Sequence, residues 1–269
     1  LDVGGHPVRR FDGDIKLKLI SLKLEIDAKL VFGSVGGPGG YNFFAIYLGV
    51  ELPTGIPLGS LPLSLYGMAG LFALQMEPNK KPDEEWYEGW YLRQTVGVTD
   101  LANKWENRRG SLALGGGVTI GTNDNGFTFA CKALLVIVFP GPIILLEGKA
   151  NLLKERAKLS EEPLFRSLSV LDMRQGQVLM GLAAKYRQDE TSGSVLAIEA
   201  GAEAFFHTPQ DWHLYLGERE PRDKRIRATI FQLFEANSDF MLDPQKLATG
   251  AWLGYARKWQ YGPVGLTLE

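Results

Sequence analysis

From Gly13 to Phe32 the chain reads GDIKLKLISLKLEIDAKLVF, with apolar and polar residues alternating almost without error. Ile15, Leu17 and Leu19 point one way, and Asp14, Lys16 and Lys18 the other. After the adjacent apolar pair Leu19–Ile20 the phase flips. Leu22, Leu24, Ile26, Ala28, Leu30 and Phe32 then alternate with Lys23, Glu25, Asp27 and Lys29. A period of two is the signature of a strand with one wet and one dry face. Rolled into a helix, the same charges would fall on opposite sides and leave no single polar face. The pattern predicts an antiparallel sheet, with the apolar set expected on the buried side. The Leu19–Ile20 slip reads as a β-bulge that re-aims one long strand.

The same reading continues downstream. Gly36-Gly37-Pro38-Gly39-Gly40 is a turn, and Tyr41–Leu52 after it is strand-like. Pro53, Pro57 and Pro62 make a loop or edge, and Leu63–Met76 reads as a strand apolar on both faces. Residues 77–110 form the most polar excursion, with a short helix predicted over Leu101–Asn107 and Asp100 as its N-cap. Strands resume at Ser111–Gly121, Phe127–Phe139 and Ile143–Leu153, joined by Asn123-Asp124-Asn125-Gly126 and by Pro140-Gly141-Pro142. A second meander is predicted over Leu168–Met173, Gln177–Arg187, Val195–His207, Trp212–Gly217 and Ile226–Phe234. Phe240–Leu242 and Ala251–Lys258 are weaker strand signals. The expected fold is all-β, an antiparallel meander of long amphipathic strands forming a curved sheet, a sandwich or a partly closed barrel, with one or two short helices. Residues 1–269 are expected to form one large β-unit; the charged segment 154–163 marks where it would divide into 1–153 and 164–269.

Composition narrows the function classes. Among 269 residues, 45% are hydrophobic and 22% charged, and the formal net charge is −2. That balance argues against a nucleic-acid partner, which needs a concentrated positive surface. A single cysteine, Cys131, excludes an intrachain disulfide. The chain begins at Leu1 without a signal-peptide pattern, which suggests a processed product or a piece of something longer. No apolar run is long enough for a transmembrane helix, since Ala133–Leu146 is interrupted by Pro140 and Pro142.

Motifs for phosphate, dinucleotide, zinc-protease or serine-hydrolase chemistry are missing from the sequence. Gly115-Gly116-Gly117 lies in a strand pattern and reads as close packing, not as a phosphate cradle. His6, His207 and His213 are the three histidines, and the latter two flank a Thr-Pro-Gln-Asp turn. Cys131 reads as a small buried hydrophobe. Arg222, Lys224, Arg225 and Arg227 form a basic tip diluted by Glu218, Glu220 and Asp223, read as a solvated turn. No cofactor and no metal are assigned. The candidate binding residues are Trp86, Tyr87, Trp90 and Tyr91, which could stack a sugar beside Asp83, Glu84, Glu85 and Glu88. Adjacent loop acids seldom face each other across a glycosidic bond, and aromatics commonly anchor long loops, so a loop folded onto the sheet is the simpler reading.

Two stretches carry a family resemblance. Leu52–Phe72, LPTGIPLGSLPLSLYGMAGLF, resembles a signature in very large, strand-rich bacterial proteins of unknown function. Asp211–Gly217 (DWHLYLG) with Leu233–Leu242 (LFEANSDFML) resembles a strand–turn–strand segment of the same group. The resemblance implies an internal β-module of a larger bacterial polypeptide or assembly and transfers no catalytic residues. The leading expectation is therefore a non-enzymatic structural or binding module. Its partners would be other chains or neighbouring β-modules, or an apolar ligand held in a groove. A carbohydrate-active protein using the Trp86–Tyr91 loop and an outer-membrane-type barrel are the alternatives. Read as one strand, Asp14–Phe32 would span roughly 60 Å at ~3.3 Å per residue, too long for a membrane strand of about 9–11 residues.

Overall fold

The computed structural model describes residues 2–3, 6–21, 24–79, 98–160, 162–190, 193–220, 224–231, 233–255, 259–261 and 264–266. They fall into two compact units, Leu1–Gln177 and Val178–Glu269. The fold is all-β and antiparallel, as the alternation predicts.

Among its described residues the first unit is a meander of nine strands: β1 (Asp2–Val3), β2 (His6–Leu19), β3 (Leu24–Val35), β4 (Tyr41–Pro57), β5 (Leu63–Pro78), β6 (Trp105–Thr122), β7 (Phe129–Phe139), β8 (Ile143–Leu152) and β9 (Phe165–Asp172). Each pairs antiparallel with the next. Predicted turns hold: Gly37 and Gly39 supply positive φ between β3 and β4, and Gly126 does so after Asp124 between β6 and β7. A single-turn helix, α1 (Leu101–Lys104), is shorter than expected because residues 105–107 already belong to β6. Asp100 caps it, its Oδ1 accepting from the Asn103 N–H at 3.3 Å.

The α1 segment lies against one face of the sheet. Val98, Leu101 and Trp105 are buried there, and the Trp105 indole donates to the Val98 carbonyl at 2.9 Å. Arg10 of β2 donates to the carbonyls of Leu101 (2.9 Å), Ala102 (2.7 Å) and Trp105 (3.0 Å). Glu147 of β8 accepts from the Val98 N–H. Strands β2 and β8 are far apart in the pairing order, yet both reach this one segment, so the sheet of the first unit curls around it.

Three expectations are corrected. Leu19–Ile20 is the start of a hairpin turn and not a bulge: β2 ends at Leu19, Ile20 and Ser21 turn, and Leu19 pairs with Leu24. The phase flip arises because β3 returns antiparallel to β2, so the single long strand does not exist. The face assignment is also reversed. Ile15, Leu17, Leu30 and Phe32 are exposed, whereas Val31 and Val35, on the other face of β3, are buried. Finally, Cys131 is half-buried on the same outward face and not in the core.

The second unit contains β10 (Gln177–Glu190), β11 (Gly193–Thr208), β12 (Asp211–Leu216), β13 (Ile226–Ile230), β14 (Phe234–Asp243) and β15 (Lys246–Tyr255), with a small hairpin of β16 (Trp259–Tyr261) and β17 (Val264–Leu266). Strands β12 and β13 both pair with β11 and both pair with β14. They run in the same direction and form one row, broken between Leu216 and Ile226. Gly217, at φ 68°, donates its N–H to the Gly201 carbonyl at 2.8 Å where the row breaks. Arg219 and Arg225, which lie between these two strands in sequence, reach β14 and β15. Arg219 donates to the Thr249 carbonyl at 2.8 Å and lies 3.5 Å from the buried Asp239 carboxylate. The Arg225 guanidinium sits 4.0 Å from the centre of the Trp252 ring. The predicted strand Ile226–Phe234 is thus two strands, parted by a turn at Phe231, whose φ is 51°.

Candidate functional site: the outward apolar faces

The strand registers decide which side chains share a face. In the first unit Phe11 stands opposite Phe32, and Phe32 opposite Phe44. Ile15, Ala28 and Leu48 form a parallel row, as do Met68, Val118 and Ala133. Leu135 stands opposite Leu146, and Ile137 opposite Ile144 and then Leu171. Across β2 to β9, from Phe11 to Leu171, the positions in these rows carry no charged side chain. The adjacent residue on each strand points to the other face. Leu135 is 43% exposed and Val136 0%; Phe32 is 47% exposed and Val31 1%. From β3 to β9 large apolar residues stand exposed on the outward face while the inward face is packed; on β2 the charged residues Asp12, Asp14, Lys16 and Lys18 of that other face are exposed as well.

The inward face holds the charges. Glu51 accepts from Thr119 Oγ1 at 2.8 Å and pairs with Lys132 (3.1 Å) and Arg156 (3.4 Å). Glu77 is clamped between Arg108 (2.6 Å) and Arg174 (2.7 Å) and accepts from Ser111 at 3.1 Å. Lys149 lies 3.7 Å from Glu147, both mostly buried. Such paired, hydrogen-bonded clusters are how charge is tolerated away from water. Tyr47, Tyr66, Phe43 and Trp105 fill the space between them, all nearly fully buried.

The second unit repeats this division. Met180 and Leu182 of β10, Phe206 of β11, Leu214 and Leu216 of β12, Ile230 of β13 and Phe234 of β14 are exposed on one face. On β15 Leu253 reaches 83% exposure. The opposite face carries Glu199, paired with Lys185 (2.9 Å) and Arg227 (2.5 Å), and His213, 2.6 Å from Glu203. The His213 ring stacks on Tyr215 at 4.3 Å, and the Tyr215 hydroxyl donates to Asp243 at 3.3 Å.

Of the residues singled out by sequence, the described ones do not gather at one place. Trp86, Tyr87, Trp90 and Tyr91 lie outside the described residues, as do Asp83, Glu84, Glu85 and Glu88. His207 and His213 do not converge on one point: His207 is 3.0 Å from Asp211, and His213 pairs with Glu203. Lys224 and Arg225 pair with Glu218 (3.0 Å) and Glu220 (3.2 Å). Gly115 and Gly117 are close-packing positions, where a Cβ would lie 2.9 Å from Val136 and 2.8 Å from the Ala133 carbonyl. Cys131 stands opposite Ile120 and Ala150. Among the described residues no cluster of three or more His, Cys, Asp or Glu is arranged to hold a metal. The inward clusters at Glu51 and Glu77 escaped the sequence reading. Their available signal was a charge interrupting an otherwise apolar run, as Glu51, Lys132 and Glu147 do.

Compared with known proteins, the chain matches no family model, no curated protein and no solved structure. What distinguishes its first unit is an antiparallel sheet with paired charges on the face turned toward the 98–105 segment and exposed large apolar residues on the other.

Proposed function

We propose that the chain is a non-enzymatic β-module that works through its outward faces, as a binding surface for an apolar partner. One observation carries this reading: exposed large hydrophobics run without a charge along the outward registers of β2 to β9 and recur in the second unit. Ordinary monomers keep contiguous apolar patches to a few hundred Å², and larger ones mark interaction surfaces. Both occupant classes expected from the sequence, neighbouring protein chains and an apolar ligand, would use such a face. A groove is the less suitable description, because the inward face is the filled one. Replacing Ile46, Leu114 and Leu146, all outward and exposed, by Ser tests the reading. The expected result is unchanged far-ultraviolet circular dichroism with less aggregation in detergent-free buffer and weaker binding of a hydrophobic dye. A parent chain that is monodisperse without detergent and silent to the dye refutes it.

A further inference from the structure

Resting on that reading, we propose that the partner of the outward faces is the hydrocarbon core of a lipid bilayer, entered by strands.

Polarity is the first argument. A sheet packed on a second sheet in water places its charges on the open side, where they are solvated. Here the reverse holds. Glu147 and Lys149 sit mostly buried on the inward face, while Leu146 and Leu135 are bare on the outward face. Alternation with apolar residues out and polar residues in is what strands in lipid require.

Dimension is the second. With β2 and β3 separated by a turn, the length objection to membrane strands disappears. Strand β7 has 11 residues, Phe129–Phe139, and its outward positions are Phe129, Cys131, Ala133, Leu135, Ile137 and Phe139. At ~3.3 Å per residue and a tilt near 45° such a strand rises about 25 Å, the height of the apolar band of a membrane sheet. The nine-residue stretches Phe11–Leu19 and Leu24–Phe32 rise about 21 Å on the same reckoning, at the short end of the roughly 9–11 residues of a membrane strand.

Boundaries are the third. Phe11, Phe32 and Phe44 stand side by side at one end of the band, and the Phe11 and Phe32 rings stack at 5.3 Å. One outward position further on, the row becomes Arg9, Ser34 and Asn42. An aromatic row followed at once by polar residues is the order in which a strand leaves hydrocarbon for headgroups. The backbone is compatible too. Each of β3 to β8 has a ladder on both sides, so its N–H and C=O groups do not face lipid.

The full chain, refolded with vesicles of phosphatidylcholine and phosphatidylglycerol, tests this. It should float with the vesicles, resist alkaline carbonate extraction, and lose at least tenfold in incorporation when Leu135 and Leu146 are both changed to Arg. Because that variant could fail to fold, the native Cys131 supplies an independent reading. A nitroxide there should be accessible to oxygen and shielded from a water-soluble nickel chelate. Flotation that carbonate reverses, or a Cys131 label open to the chelate, overturns the bilayer proposal. So does a chain that ignores vesicles yet remains detergent-dependent and dye-binding, which leaves the apolar-surface reading standing. A parent chain that is monodisperse and dye-silent in buffer removes both.

Discussion

Leu135 and Val136 are neighbours in β7 with opposite surroundings, and changing each in turn separates what covers the two faces. Val136 lies between Gly115 and Leu145 on the inward face and is 0% exposed. Val136→Ala deletes two buried methyl groups, about 1.6 kcal/mol of transfer free energy at ~0.8 per group. With an incompletely relaxed cavity the loss is about 2 kcal/mol, whatever lies beyond the other face. Leu135 faces outward near the middle of the strand, opposite Leu146. If that face is wet, Leu135→Arg changes stability by no more than about 0.5 kcal/mol, the usual range for surface positions. If it meets hydrocarbon near the bilayer midplane, the same change costs about 2–4 kcal/mol. Urea unfolding of the vesicle-reconstituted chain, followed by tryptophan fluorescence, measures both variants against the parent. Leu135→Arg should destabilise at least as much as Val136→Ala. A loss below about 0.5 kcal/mol for Leu135→Arg beside a normal loss for Val136→Ala would refute the reasoning.

Other consequences follow from the turns and the inward face. Hydrogen bonds from the Thr122 and Thr128 hydroxyls, then the Thr128 and Phe127 amides, hold the exposed Asp124 carboxyl at about 2, below its ordinary 3.8. Because the folded value is depressed, the turn is supported above pH 3.8 and loosens as pH falls through about 2; faster amide exchange at Phe127 and Thr128 in that window, lost in Asp124→Asn, is the readout. Gly33→Ala would place a Cβ 2.1 Å from the Arg9 carbonyl and 2.4 Å from the Phe43 ring. It should lower stability by about 1–3 kcal/mol in chemical unfolding, with Phe43→Leu recovering only the ring clash. Arg10→Ala removes three donors from the 98–105 segment; opening should become easier by about 2 kcal/mol, seen as roughly 30-fold faster tryptic cleavage after Lys104, with partial rescue by Arg10→Lys.

The strands were legible because their signals are local: Phe11–Leu19 alternates apolar and polar within a few residues, while Tyr41–Leu52 and Phe127–Phe139 are strand-like in composition and bounded by turns. Turns were legible for the same reason, since Gly36–Gly40 and Asn123–Gly126 state their backbone needs in four or five letters. What failed was long-range. At Leu19–Ile20 a bulge and a hairpin leave the same phase flip, and only the Leu19–Leu24 pairing tells them apart. Likewise the β12–β13 row looks like two hairpin arms until both are seen to share β11 and β14. The clamp on Glu77 joins residues 31 and 97 positions away, and no window of sequence holds it.

Inside and outside are the deepest case of that limit. A period-two pattern sorts side chains into two faces but carries no label saying which face is dry. In water the apolar set is inward by default, so Ile15, Leu30 and Phe32 were expected in a core. The deciding fact lies elsewhere, in Val31, Phe43, Tyr47 and Val136 on the opposite face, which are large enough to fill the space the curled sheet encloses. Once that face is filled, Lys132, Glu147 and Lys149 must find partners there, and the hydrocarbon has no side left but the outer one. The function-bearing feature is then spread over many strands instead of being gathered in a pocket. For outward positions more than about 7–10 Å apart, such as Ile15 and Leu146, polar substitutions should therefore add in free energy within about 0.5 kcal/mol. Each alone weakens the proposed association with lipid and no single one abolishes it, whereas a localised site would show one dominant position and indifference elsewhere.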